Sequence, residues 1–160
     1  MNALSLTATR RNVLRLVAIA AAAPLAAGLA FAQPAGAASL TPVEMWKSPT
    51  CGCCGRWAQY MRQAGFSLTV HGTDDMEAVK EARGVPVGLR ACHTAVVNGY
   101  VVEGHVPAPD IVRLIAEHPT AKGLAVPGMP AAAPGMDQPG QTYASVLFGT
   151  PDGDRPYAQH

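Results

Sequence analysis

Hydrophobic and polar positions alternate along the chain with periods that change every ten residues or so. Residues 43–47 (Val-Glu-Met-Trp-Lys) alternate with period two and predict a strand, stopped by Ser48-Pro49. Cys51-Gly52-Cys53-Cys54 follows as a turn into a helix, on which Trp57, Tyr60, Met61 and Ala64 form an apolar stripe ending at Gly65. Residues 66–70 predict a second strand. Asp74 and Glu77 have capping-box spacing and open a helix expected to bury Met76, Val79 and Ala82 and to close at Gly84. Residues 94–97, Asn98-Gly99 and residues 100–103 make the clearest hairpin pattern in the chain. Pro109 opens a third helix, with Ile111, Leu114 and Ile115 on one face and Pro119 at its end. Residues 143–149 predict a last strand, followed by the turn-forming Pro151-Asp152-Gly153.

The order β-α-β-α-β-β-α is thioredoxin-like. It predicts an α/β protein with a single domain, a central mixed sheet flanked by helices, and a cysteine motif at the N-terminus of the first helix. That domain is expected over residues 43–149. It includes a Gly/Pro/Ala/Met-rich loop at 123–141, in which Pro127-Gly128-Met129 and Pro134-Gly135-Met136 stand seven residues apart. Residues 33–42 read as a flexible leader and 150–160 as a C-terminal tail.

Residues 1–32 carry the layout of a secretory signal: Arg10, Arg11 and Arg15 with no acid, an uncharged run at 16–32, and Ala30-Phe31-Ala32 as a small-x-small cleavage site. Thr9-Arg10-Arg11-Asn12-Val13-Leu14-Arg15 looks like a twin-arginine pattern, with Val13 where Phe is preferred and Arg15 where Lys is preferred; such a signal exports a folded protein. The rival readings are an ordinary secretory n-region and an uncleaved anchor. Pro24, Gly28 and the small residues before Gln33 favour cleavage over anchoring, and no cysteine near the cut invites lipidation. The mature chain is expected in the periplasm, off the membrane.

Charge changes with that cut. The whole chain has 12 basic and 11 acidic residues, a formal charge of +1; without the three arginines, nine basic and eleven acidic residues leave −2. A weakly acidic protein with scattered Lys and Arg has no electrostatic footprint for nucleic acid.

All four cysteines (Cys51, Cys53, Cys54 and Cys92) lie in the mature part. Three of them fall within four residues, and a Cys51–Cys54 bond closes a loop too small to restrain much of the unfolded chain. The cluster therefore reads as chemistry. At a helix N-terminus, unpaired amides and the positive end of the dipole favour thiolate over thiol. One reading is a soft metal held by sulfur, with Cu(I) preferred; adjacent Cys53 and Cys54 are best used where sulfurs bridge several ions, as in a polynuclear cluster. A second is thiol–disulfide exchange by the C-x-x-C pair Cys51 and Cys54. Against it, Cys53 would compete for disulfides, and Cys92-His93-Thr94 stands where an exchange enzyme carries a cis-proline. A third is structural zinc from Cys51, Cys54, Cys92 and a histidine, which leaves Cys53 without a role.

Other candidate ligands form a second tier. His105 lies in a loop fixed by Gly104 and Pro107. His93 follows Cys92, and both serve one centre only if the strand has not begun there. Met129 and Met136 could reach the site as thioethers or merely fill gaps. His71, His118 and His160 read as surface or helix-end residues, Met45, Met61 and Met76 as core, and Trp57 as packing.

Trp46-Lys47-Ser48-Pro49-Thr50-Cys51-Gly52-Cys53-Cys54 with Trp57, Gly84-Val85-Pro86, Cys92-His93-Thr94, Gly99-Tyr100, Glu103-Gly104-His105-Val106-Pro107, the segment from Lys122 to Pro130, and Pro134-Gly135-Met136 together resemble the CopG-like family of periplasmic metal-binding proteins linked to copper resistance. The resemblance covers about residues 43–137. It implies a thioredoxin-like domain binding copper in the bacterial envelope beside other periplasmic copper-handling proteins. By position, its cysteine ligands are Cys51, Cys53, Cys54 and Cys92, with His93, His105 and Met129 in the other motif segments. The resulting expectation is a Cu(I)-binding protein for copper tolerance, acting as a binding or redox-buffering module.

Overall fold

A computed structural model describes residues 40–136 and 138–160; the signal and nearly all of the leader lie outside them. The element order is β1 (Thr41–Lys47), α1 (Gly52–Gln63), β2 (Phe66–Gly72), α2 (Met76–Ala82), a single 3-10 turn (Val87–Leu89), β3 (His93–Val97), β4 (Tyr100–Glu103), α3 (Ala108–Glu117), β5 (Gly123–Ala125), β6 (Ala144–Phe148) and β7 (Arg155–Gln159). The seven strands form one mixed sheet in the order β2-β1-β3-β4-β5-β6-β7. β1 pairs parallel to β2 and β4 parallel to β5, while the remaining neighbours run antiparallel. The expected α/β fold with a central mixed sheet is present. No helix among the described residues is long and apolar enough to cross a membrane.

Period-two alternation sorts the central strands onto two faces. Val43, Met45, Ala95, Val97, Val102, Leu124 and Leu147 join Cys54, Trp57 and Met61 of α1 and Ile111 and Leu114 of α3 in the main core. Their strand neighbours Val101, Ala125 and Phe148 face the other way and pack with Val85 after α2. The hairpin forms where the Asn-Gly pair placed it, with both turn residues at positive φ (48° and 85°), as a primed turn demands.

Five local expectations differ from what forms. β1 begins at Thr41, two residues inside the presumed leader, because β2 supplies partners that far. The cap of α2 is Asp75, whose carboxylate accepts from the Ala78 amide, in place of Asp74. The buried residue of that helix is Lys80; Met76 and Val79 are half-buried and Ala82 is exposed. Two strands also lie where none was expected. β5 sits at the start of the Gly/Pro-rich loop, its Gly123 facing Val101, where any Cβ would come within 1.8 Å of the carbonyl oxygen. β7 occupies most of the presumed tail; Pro156 is tolerated there because β7 is an edge strand.

Candidate metal centre

Cys51 is the N-cap of α1 and makes no side-chain cap bond, and the first turn carries no acid. The positive end of the helix is therefore left to the sulfurs. Gly52 and the cysteines start the helix, and Trp57, one turn further in, anchors it: its indole N–H donates to the Val106 carbonyl at 2.9 Å. Cys92 arrives from across the sheet, in the last residue before β3.

One sulfur from each of Cys51, Cys53, Cys54 and Cys92 lies within 4.8 Å of the others. Cys51 and Cys54 are joined as a disulfide, and Cys53 and Cys92 are free. Cys53 Sγ is 3.4 Å from Cys51 Sγ. Cys54 is buried and the other three are half-buried, so the cluster sits at the edge of the core.

Two imidazoles complete a second, overlapping group: Cys54, Cys92, His93 and His105 also offer ligand atoms within 4.8 Å of one another. His105 Nδ1 is 2.6 Å from the Pro134 carbonyl oxygen. That oxygen only accepts, so Nδ1 carries the proton and Nε2 presents a lone pair, 3.1 Å from Cys92 Sγ. His93 Nδ1 is 3.6 Å from the same sulfur. β3 begins at His93, so Cys92 precedes the regular strand and both residues reach one centre. The two rings meet edge to face at 5.2 Å, and the Trp57 ring lies 4.4 Å from His93. His93 Nε2 is buried without a hydrogen-bond partner, an arrangement that suits a ligand still to come.

The electrostatics favour neutral groups in the metal-free state. Burial, reinforced by the nearby Cys53, pushes the Cys92 thiol up to about 12. Burial, with His105 beside it, holds the His93 imidazole well below its ordinary value, so it is neutral and able to ligate. A bound cation reverses the first effect, because a coordinating thiol is deprotonated.

The remaining second-tier candidates fare unequally. Met136 is half-buried beside Gly135, whose carbonyl accepts from Arg56 Nε at 2.7 Å and whose Cα approaches α1 so closely that a Cβ would stand 2.7 Å from the Trp57 nitrogen. Met129 is 57% exposed. His71 pairs with Glu44 on the surface and His118 ends α3 in a left-handed conformation, as expected. His160 is exposed, as expected, and its Nε2 bonds Asp110 Oδ2 at 2.8 Å, because β7 brings it there.

A family profile described as "Protein of unknown function, DUF411" matches residues 89–136, which contain Cys92, His93, His105 and both loop methionines but none of the helix cysteines. Two solved structures, Forms 2 and 1 of copper resistance protein copG, are each 39% identical, covering 76% of this chain and 98% of theirs, with TM-scores of 0.71 and 0.70. The chain belongs to the CopG family. No curated protein matches the chain.

Sequence reasoning missed one buried cluster next to this centre. Lys80, Thr94 and Glu103, all 2% exposed or less, hydrogen-bond one another on the opposite face of the sheet. The signal was present in the period-two pattern, which puts Thr94 and Glu103 opposite one another in a hairpin, but nothing in α2 marked Lys80 as the inward residue.

Proposed function

We propose that this chain binds copper as Cu(I) in the periplasm and serves copper resistance or homeostasis. Cys51, Cys53, Cys54 and Cys92 are the thiolate ligands, and His105 and His93 are the neutral ligands closest to them. The single observation that carries the reading is four cysteine sulfurs converging within 4.8 Å at an uncapped helix mouth. Thiolate with imidazole suits Cu(I) over hard cations, and four sulfurs so close together favour a cluster in which sulfurs bridge several ions. Membership of the CopG family, whose solved structures are named for copper resistance, supports copper over zinc. Cargo would pass to and from other periplasmic copper-handling proteins. Binding through all four sulfurs first requires two electrons and two protons to open the Cys51–Cys54 disulfide to thiols.

Anaerobic Cu(I) titration of the reduced protein against a competing chelator, with Zn(II) in parallel, tests this. Tight uptake of several copper ions per chain, lost in Cys53→Ser or Cys92→Ser, is the expected result. Absence of competitive copper binding overturns it.

The second reading, a thiol–disulfide oxidoreductase, is favoured by the Cys51–Cys54 disulfide itself. Insulin reduction by metal-free protein separates the two. Robust turnover that survives Cys53→Ser and Cys92→Ser supports the exchange enzyme and sinks the metal centre.

A further inference from the structure

Cys92 has no helix to hold it. It sits in the short link between the 3-10 turn and β3, yet its sulfur must meet three others fixed on α1. What holds it is the segment Glu103-Gly104-His105. Glu103 Oε1 accepts from the Ala91 amide at 2.6 Å and Oε2 from the Thr94 hydroxyl at 2.6 Å, so one carboxylate grips the chain on both sides of Cys92-His93. Gly104 donates its amide to the His93 carbonyl at 2.9 Å. It does so at positive φ (72°), in a space where a Cβ would lie 2.7 Å from Ala91 Cβ and from the Val126 carbonyl oxygen. His105 Nε2 then meets Cys92 Sγ.

The carboxylate is fully buried, and Lys80 Nζ, 2.6 Å away, compensates its charge. Replacing a buried ion pair by packed apolar residues of similar volume is often neutral or stabilising, so such a pair is weak evidence of a role in stability. Its placement, straddling the two residues that complete the centre, gives it a different use. We infer that Glu103 is a positioning residue of the metal centre: its carboxylate, reached from the far face of the sheet, sets Cys92 and His93 against the helix cysteines. The inference rests on the metal-centre reading above, but half of its test does not need metal.

The test uses the full chain with Glu103→Gln, which keeps the shape and removes the charge, and Thr94→Val, which releases one side of the grip and preserves the strand. Two quantities are read: the ratio of Cys92 to Cys53 alkylation in reduced metal-free protein, by peptide mass mapping, and Cu(I) uptake against a chelator. In folded Glu103→Gln, the Cys92:Cys53 ratio is expected to change at least threefold, and copper uptake to fall to the level of Cys92→Ser. Thr94→Val shifts both in the same direction by less, and carries the test alone if Glu103→Gln does not fold. A labelling ratio and copper uptake unchanged from wild type in a folded variant overturn the positioning role. Wild-type protein that takes up no copper removes the metal-centre reading instead, and the labelling ratio still decides whether Glu103 places Cys92.

Discussion

His105 Nε2 faces Cys92 Sγ at 3.1 Å because the Pro134 carbonyl takes the proton-bearing Nδ1. The Pro/Gly-rich loop thus sets the tautomer of a histidine at the cysteine cluster, and the side chain is fully buried. His105→Asn retains a donor where Nδ1 stood and deletes Nε2. Cu(I) affinity in that variant is expected to drop by at least the roughly 10–100-fold that losing a mere ligand-orienting partner costs, because the ligand atom itself is gone. Chelator competition measures it; affinity equal to wild type would remove His105 from the centre.

Protein isolated in air should show two reactive thiols when denatured, Cys53 and Cys92, and four after reduction. In the folded metal-free state Cys92 stays protonated, since burial raises it to about 12. Iodoacetamide at pH 8 should therefore label Cys92 slowly, with a rate still climbing at pH 10. The linked effect on stability follows the same sign. A thiol raised above its ordinary 9.0 binds more protons folded than unfolded between those values, so stability is intact below about pH 9 and falls as pH rises. Urea unfolding of reduced protein at pH 8 and 10 measures the fall, which Cys92→Ser should diminish. Fast labelling of Cys92 at pH 8 would contradict the burial argument.

The parts of this molecule legible in its sequence are those governed by local chemistry. Asn98-Gly99 dictates a primed turn whatever surrounds it, and Cys51 to Cys54 before Trp57 and Met61 dictate a helix with sulfur at its mouth. β5 and β7 were not legible, because a three-residue strand beginning with Gly123 and a strand containing Pro156 exist only through the neighbours they pair with. The same holds at the site. Four cysteines could be grouped from spacing and resemblance, but the bonds from Glu103 to Ala91 and Thr94, and the pairing of His105 with Pro134, arise from contacts between segments that no periodicity reports.

Gly135 stands at φ +82°, with a Cβ position 2.7 Å from the Trp57 nitrogen. Gly135→Ala must push the loop off α1 or strain the backbone, at a cost of about 1–3 kcal/mol. Because the same loop presents Pro134 to His105, weaker Cu(I) binding should accompany the lower urea midpoint. A variant as stable as wild type would show that the loop does not rest on the helix.

Asp110, near the start of α3, accepts from Ser145 Oγ at 2.7 Å and bonds His160 Nε2 at 2.8 Å, tying the helix to β6 and to the end of β7. Ser145 is fully buried. Asp110→Ala removes the acceptor of a buried hydroxyl, which costs about 1–3 kcal/mol. Hydrogen exchange should show the loss first in β7, the edge strand. Equal protection of β7 in variant and wild type would mean the strand is held by its ladder alone.

The Lys80–Glu103 pair allows a sharper test of what a buried charge contributes. Lys80→Met leaves a fully buried carboxylate with only the Ala91 amide and Thr94 hydroxyl as partners, and breaking such a pair costs about 3–5 kcal/mol. In Lys80→Met/Glu103→Gln neither member is charged, and a Gln oxygen can still accept one of those two donors. The double variant should therefore be more stable than Lys80→Met, with a coupling energy above about 0.5 kcal/mol by urea unfolding of all four proteins. Additive losses would assign the stabilisation of Glu103 to the amide and the hydroxyl, making Lys80 a bystander. Strong coupling would mean the lysine is there to keep a carboxylate charged in the core, where its two oxygens bracket Cys92 and His93.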